Sequence, residues 1–337
     1  MIADRRKGNK MSELRYNPML NDWIMVASNR QQRPAMPKGW CPFCPGSGNV
    51  PDEGYDVFKY DNDFPVMTQE FSQLSGLEGE SFIAKPMYGK CEVILYHPNH
   101  TITLPELPKA HIRKLVDLWT SRFEELAADT EIKYILIFEN RGAEAGVTMP
   151  HPHGQLYAFN WLPKNIETEV NNSKRHYQET GRCLTCELLS EEQEAQDRMV
   201  LENDHFAAYV PYYTAYPYGT YVVAKEHVGS LPDFSSEQKD ALADILKRIT
   251  GTYDALFDKL FPYMMVMHQV PVNTEDAGDY YHFHIEFYPP LRADGVQYFR
   301  ASCETGAGAY CNATQPEEKA KDLRDAYERF LAKGEVE

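Results

Sequence analysis

The chain has 337 residues and a formal net charge of −16, from 34 Lys and Arg against 50 Asp and Glu, and 43% of its residues are hydrophobic. That acidic balance excludes sequence-independent nucleic-acid binding, which needs a basic face to release counterions. It leaves room for an anionic small substrate held by a few local donors. No run approaches eighteen apolar residues, so no membrane span is expected, and the opening MIADRRKGNK lacks the apolar core of an export signal.

Residues 1–10 read as a loose extension, with Met11 the more convincing start. The length suits one large or two smaller domains. Seven cysteines include two Cys-x-x-Cys pairs, CPFC (41–44) and CLTC (183–186). An odd count without an export signal points to a reducing, cytoplasmic setting and to metal binding rather than disulfides.

The first informative stretch, WCPFCPG, places Cys41 and Cys44 in a turn that lets two thiolates converge on one ion. EVILYHPNHTITLPEL (92–107) then reads as a strand, a histidine (His100) and a Leu-Pro helix start. Ile112, Leu115, Val116, Trp119, Phe123 and Leu126 follow at helical spacing. YILIFEN (134–140) reads as a buried strand. MPHPHGQLYAF (149–159) sets His151 and His153 on one side of a strand, with Pro152 turned away. That pair could be metal ligands, a nucleophile with its support, or polar residues on a wet face.

After a polar stretch at 163–182 the pattern returns. CLTC is followed by TYVVAKEHVGSLPDF (220–234) with His227, then Leu242, Ile245, Leu246, Ile249 and Tyr253 at helical spacing. YMMVMHQ (263–269) matches YILIFEN, and HFHIEFY (282–288) matches HPHGQLY. The chain is therefore a duplication, divided into 11–165 and 166–337. The expected fold is α+β, with mainly antiparallel sheet and one long helix per half. No glycine-rich phosphate loop is present.

Each half supplies a tetrahedral zinc set of the same order: Cys41, Cys44, His100 and His151, then Cys183, Cys186, His227 and His282. The bland alternative is buried small cysteines and capped histidines. If zinc pins His151, His153 is left to face a substrate, with Gln155 on the same side offering an amide to a phosphoryl oxygen. Gly154 would open access beside them.

Pro-His-Pro-His-Gly-Gln, with FENRG upstream and FYPP downstream, resembles the galactose-1-phosphate uridylyltransferase family of the histidine-triad superfamily, from about residue 14 to about residue 304. The resemblance implies two tandem histidine-triad-like halves and a ping-pong exchange. His153 would attack the α-phosphorus of UDP-glucose, and a hexose 1-phosphate would take the uridylyl group. The leaving group is a phosphate monoester, so no dedicated general acid and no Mg²⁺ are demanded. The other imidazole nitrogen would be oriented by a backbone carbonyl.

The resemblance also implies that Arg30 and Arg33 lie by the phosphates, that Tyr60, Asn62 and Asp63 contact uracil and ribose, and that Asn140 and Thr148 neighbour the phosphates. Glu304 would hold the hexose. Members are commonly homodimers. By composition alone, Asn62-Asp63 reads as a turn and the two arginines as surface charge.

Three departures stand out. His284-Ile285-Glu286 replaces a histidine-rich triplet, so a second family metal site would fall on Glu169, His268, His284 and Glu286. The Cys183–Cys186 pair instead resembles a zinc-rich branch that includes a plant ADP-glucose phosphorylase. Tyr298, Phe299 and Cys303 replace the usual hexose contacts, so the sugar specificity is left open, and an ADP-glucose enzyme with the same histidine chemistry is the alternative. A zinc-stabilised nucleotide-binding protein without turnover is the remaining class. Glu286 would repel a phosphate and Ile285 would block access, so the second half is expected to be a structural copy.

Overall fold

The computed structural model describes residues 12–27, 39–147 and 149–334. The expected extension at 1–10 lies outside them. The first half runs β1 (Ser12–Asn17), β2 (Asp22–Ala27), β3 (Phe58–Asp61), β4 (Ala84–Pro86), β5 (Gly89–Leu95), α1 (Lys109–Ala127), β6 (Tyr134–Arg141) and β7 (His153–Phe159). Two helices, α2 (Lys164–Thr180) and α3 (Leu184–Ala195), follow. Then come β8 (Met199–Glu202), β9 (Phe206–Tyr209), β10 (Thr220–Ala224), α4 (Ser236–Phe257), β11 (Tyr263–His268) and β12 (His284–Tyr288). The chain finishes with β13 (Leu291–Ala293), β14 (Val296–Gln297), α5 (Ser302–Ala307) and α6 (Pro316–Ala332).

A nine-stranded antiparallel sheet in the order β3-β5-β7-β6-β11-β12-β10-β9-β8 carries both halves, joined where β6 pairs with β11. β1, β2 and β4 form a small separate sheet. The two Leu-Pro signals both begin short 3-10 turns, just before α1 and α4. Every apolar position expected on those two helices is buried, from Ile112 to Leu126 and from Leu242 to Tyr253. α1, α4 and α6 pack over one face of the large sheet, where residues such as Trp119, Phe283 and Phe287 are fully buried. Each such side chain contributes about 1.5–3 kcal/mol by leaving water.

The polar stretch at 163–182, where the halves join, contains α2, whose Ile166 and Val170 pack on the other face of the sheet. One expectation changes: the match between YILIFEN and YMMVMHQ is out of register by one residue. Phe138 pairs with Gln155, and Val266 pairs with Glu286, so Phe138 corresponds to Val266 and Asn140 to His268. These strands are apolar on both faces, so the letters do not mark the register, and a slip of one turns every side chain over.

Candidate active site and metal centres

The His-x-His strand β7 sits between β5 and β6, with Leu95 opposite His153 and Val93 opposite Gln155. Strand alternation places His153 and Gln155 on the face away from α1 and α4. The His153 Nδ1–H donates to the His151 carbonyl oxygen at 2.7 Å. A carbonyl can only accept, so the proton is on Nδ1 and the lone pair on Nε2 is the nucleophilic one. Asn140, at the end of β6, lines the same cavity of about 320 Å³ as His153, together with Val147, Met149 and Leu260.

The first cysteine pair lies beside this strand. Cys41 Sγ is 3.7 Å from His151 Nδ1, and Cys44 Sγ is 3.5 Å from His100 Nδ1 and 3.7 Å from His151 Nδ1. Tetrahedral zinc with ordinary Zn–S and Zn–N bonds would set sulfur and nitrogen about 3.6 Å apart, so the donors stand at the separation one ion needs. Burial and His100 hold His151 down to about 4, a neutral donor. Its Nε2 lies 2.8 Å from the Tyr55 hydroxyl, which donates to the Phe43 carbonyl at 2.8 Å, so the ligand ring is held from behind.

The second set repeats this geometry. Cys186 Sγ is 3.5 Å from His227 Nδ1 and 3.2 Å from His282 Nδ1, and Cys183 Sγ is 4.0 Å from His282 Nδ1. The His227 Nε2–H donates to the Gly278 carbonyl at 2.7 Å. Both Cys₂His₂ groups can therefore hold a metal ion.

Glu169, His268 and His284 converge as a third group that shares no residue with the other two. Glu169 accepts from His268 Nδ1 at 2.8 Å, and Glu286 lies 3.7 Å from His268 Nε2 and 3.4 Å from His284 Nε2. Burial alone would lower His268, but Glu169 and Glu286 carry it up to about 9. His284 repeats the His153 arrangement, with Nδ1 at 2.8 Å from the His282 carbonyl, and its second nitrogen faces the Glu286 carboxylate at 3.4 Å.

Tyr60 reaches the site through Phe43, whose ring lies 5.4 Å from Tyr60 and 5.9 Å from His153. Phe43 and Tyr55 both escaped sequence reading. Phe43 could have been found, because it lies inside the CPFC turn; Tyr55 carried no signal. Asn62 makes the turn its composition suggested, accepting from the Phe64 N–H at 2.9 Å, while Asp63 accepts from the Tyr60 hydroxyl at 2.7 Å. Glu304 caps its own helix, accepting from the Ala301 N–H at 3.0 Å, and does not line the cavity beside His153. Arg30, Arg33 and Thr148 lie outside the described residues.

The expected role of Gly154 is corrected. Gly154 faces the helix side, and a Cβ there would sit 2.4 Å from the Tyr96 hydroxyl. Ile285 likewise points into the helix-side core and is fully buried, so it blocks nothing. Glu286 and the buried setting of His284 are what distinguish the second half.

Two family models cover the chain: the N-terminal domain of galactose-1-phosphate uridyl transferase over residues 3–163 and its C-terminal domain over 169–330. The chain belongs to this family. A galactose-1-phosphate uridylyltransferase from Thermotoga maritima is 42% identical over 94% of this chain and 98% of its own. One from Rattus norvegicus is 31% identical over 96% and 90%. A solved uridylyltransferase superposes with a TM-score of 0.87 at 30% identity, over 95% of this chain and 99% of the other. An ADP-glucose phosphorylase from Arabidopsis thaliana with bound ADP-glucose superposes at 0.72 and 25% identity, over 93% and 98%.

Proposed function

We propose that this member of the family is a hexose-1-phosphate uridylyltransferase, a nucleotidyltransferase that exchanges UMP between UDP-glucose and galactose 1-phosphate. His153 Nε2 attacks the α-phosphorus, the bond to the bridging oxygen breaks, and glucose 1-phosphate leaves with the electron pair. A phosphate oxygen of galactose 1-phosphate then displaces the imidazole and carries the uridylyl group away. The Nδ1 proton stays on the ring throughout, donating to the His151 carbonyl. That 2.7 Å bond is the observation that carries the reading.

Gln155 steadies a non-bridging oxygen, and Asn140 and Thr148 serve the phosphates with Arg30 and Arg33. Tyr60, Asn62 and Asp63 receive the nucleoside, and Glu304 the hexose. Zinc held by Cys41, Cys44, His100 and His151 is a closed four-ligand site, so it supplies structure rather than a reaction step. It fixes the carbonyl that orients His153. Cys183, Cys186, His227 and His282 hold a second zinc in a half that performs no transfer. The two histidine-triad-like halves divide near residue 165.

The reading includes a cytoplasmic homodimer. In support, the β1–β2 hairpin exposes Met19, Leu20, Ile24 and Met25, an apolar surface of the kind partners cover. Among the described residues no helix is long and apolar enough to cross a membrane. The test is the intact mass after mixing with UDP-glucose or ADP-glucose alone. Uridylylation of the parent, absent in His153→Gly with metal content unchanged, is the expected result. Labelling by ADP-glucose only would make the donor adenylyl, and a protein labelled by neither would overturn the transferase.

A further inference from the structure

A buried carboxyl stands on the helix side of the sheet, where the chemistry above makes no use of it. Glu139 is 6% exposed. The Tyr96 hydroxyl donates to its Oε2 at 3.2 Å and the Tyr263 hydroxyl to its Oε1 at 3.3 Å. Both phenols are buried and their acidity is suppressed, so they remain donors at any working pH. The same Tyr96 hydroxyl presses on Gly154, the residue between His153 and Gln155. Tyr96 is anchored by its backbone as well: its N–H donates to the Pro152 carbonyl at 3.0 Å, and its carbonyl accepts from His111 Nε2 at 2.7 Å. Tyr96 and Glu139 also line the cavity beside His153.

The duplication supplies an internal control. Ile94 pairs with Gly154 and Leu95 with His153, while Val222 pairs with Ile285 and Val223 with His284. Tyr96 therefore corresponds to Ala224, Gly154 to Ile285 and, by the register above, Glu139 to Met267. In the second half all three positions are apolar and buried. Ala224 and Ile285 fill with small and large what Tyr96 and Gly154 fill with large and small. A well-packed apolar trio thus suffices for the fold in the second half, and the buried polar pair of Tyr96 and Glu139 stands behind the functional histidine in the first.

We propose that Glu139 and Tyr96 are a positioning pair: the carboxyl fixes the phenol, and the phenol sets the strand backbone at Gly154 and so aims His153 and Gln155. The proposal rests on His153 as nucleophile. Its test is the single-turnover rate of His153 labelling, with UDP-glucose affinity, metal content and thermal midpoint measured on the same proteins. Glu139→Leu and Tyr96→Phe should each slow labelling about 10²-fold, the scale of a small misplacement of reacting groups, with affinity changed less than about 3-fold and metal content retained. Glu139→Gln keeps an oxygen that accepts from Tyr96 and should stay within about 5-fold of the parent.

Parental rates in both the Leu and Phe variants overturn the pair, and a Gln variant as slow as Leu overturns the acceptor role. Should the Leu variant fail to fold, Tyr96→Phe carries the kinetic test. A thermal cycle is independent of any donor. Gly154→Ala should lower the midpoint, and by less in a Tyr96→Phe background, because the hydroxyl that would stand 2.4 Å from the new methyl is gone, while Tyr96 Cζ and the Phe138 carbonyl oxygen stay at 3.1 Å. Equal drops overturn the contact. A parent that labels with neither nucleotide sugar sinks the transferase reading, and the thermal cycle still decides the wedge.

Discussion

Replacing Glu139 by Gln removes a titration whose size and sign follow from the structure. Burial pushes this carboxyl from its ordinary 4.5 up to about 7, against the pull of Arg141. A folded-state value above the unfolded one means that the native protein binds the proton more tightly. The protonated carboxyl thus contributes stability that is full below 4.5 and is lost as pH rises through about 7. At about 1.4 kcal/mol for each decade, the loss comes to about 3 kcal/mol, most of it between pH 5 and pH 8. Glutamine does not titrate, so the parent should lose this amount relative to the variant. Urea unfolding of both proteins at matched pH values across that window gives the difference directly, and contributions from the cysteine sites cancel. Parallel stability curves would refute the argument, as would a parent that gains on the variant as pH rises.

Three further outcomes are expected. Gln155→Ala should slow uridylylation about 10²-fold while changing UDP-glucose binding far less, as when one preorganised donor to a developing oxyanion is removed; unchanged rate with weakened binding would make it a simple ligand contact. Elemental analysis should find two zinc ions per chain, and one in Cys183→Ser/Cys186→Ser with His153 labelling retained; a parent with one ion would sink the second site, and a double variant that kept both would move the second ion to Glu169, His268, His284 and Glu286. Lys247 is buried and its ammonium donates to the Pro105 and Leu107 carbonyls, each at 2.9 Å. Lys247→Met should therefore cost about 2 kcal/mol in thermal or urea unfolding, by stranding two buried acceptors, and an unchanged midpoint would show those carbonyls satisfied otherwise.

Much of the site was legible because its chemistry is carried by rare residues at short spacings. Cys-x-x-Cys and His-x-His bring their own local geometry, so the two Cys₂His₂ groups and the carbonyl behind His153 could be read from letters. Alternation within β7 likewise put His153 and Gln155 on one face. Alignment between the halves failed by one residue because β6 and β11 are apolar on both faces along most of their length, the less buried face carrying Leu136, Phe138, Met264 and Val266 rather than a polar stripe. Gly154 was misread for a related reason: a glycine shows that something comes close, and only the fold reveals that it is Tyr96 from the next strand. Tyr55 and Glu139 act across 96 and 43 residues of sequence respectively, and no local pattern announces such partners. The helix at the joint was hidden by its polarity, since α2 buries only Ile166, Val170 and Ser173 of its 17 residues.

The seam between β6 and β11 has a consequence for how the duplication could be undone. Cut the chain at the joint, and each half ends its sheet in a raw edge, Tyr134–Arg141 on one side and Tyr263–His268 on the other, with main-chain groups that had answered one another across the middle. Such an edge is adhesive. Two half-chains made separately would be driven to knit back together or to stick to copies of themselves, and the uncut protein has no hinge there about which its halves could swing apart. Any opening and closing that substrate exchange requires falls to the loops around the sheet.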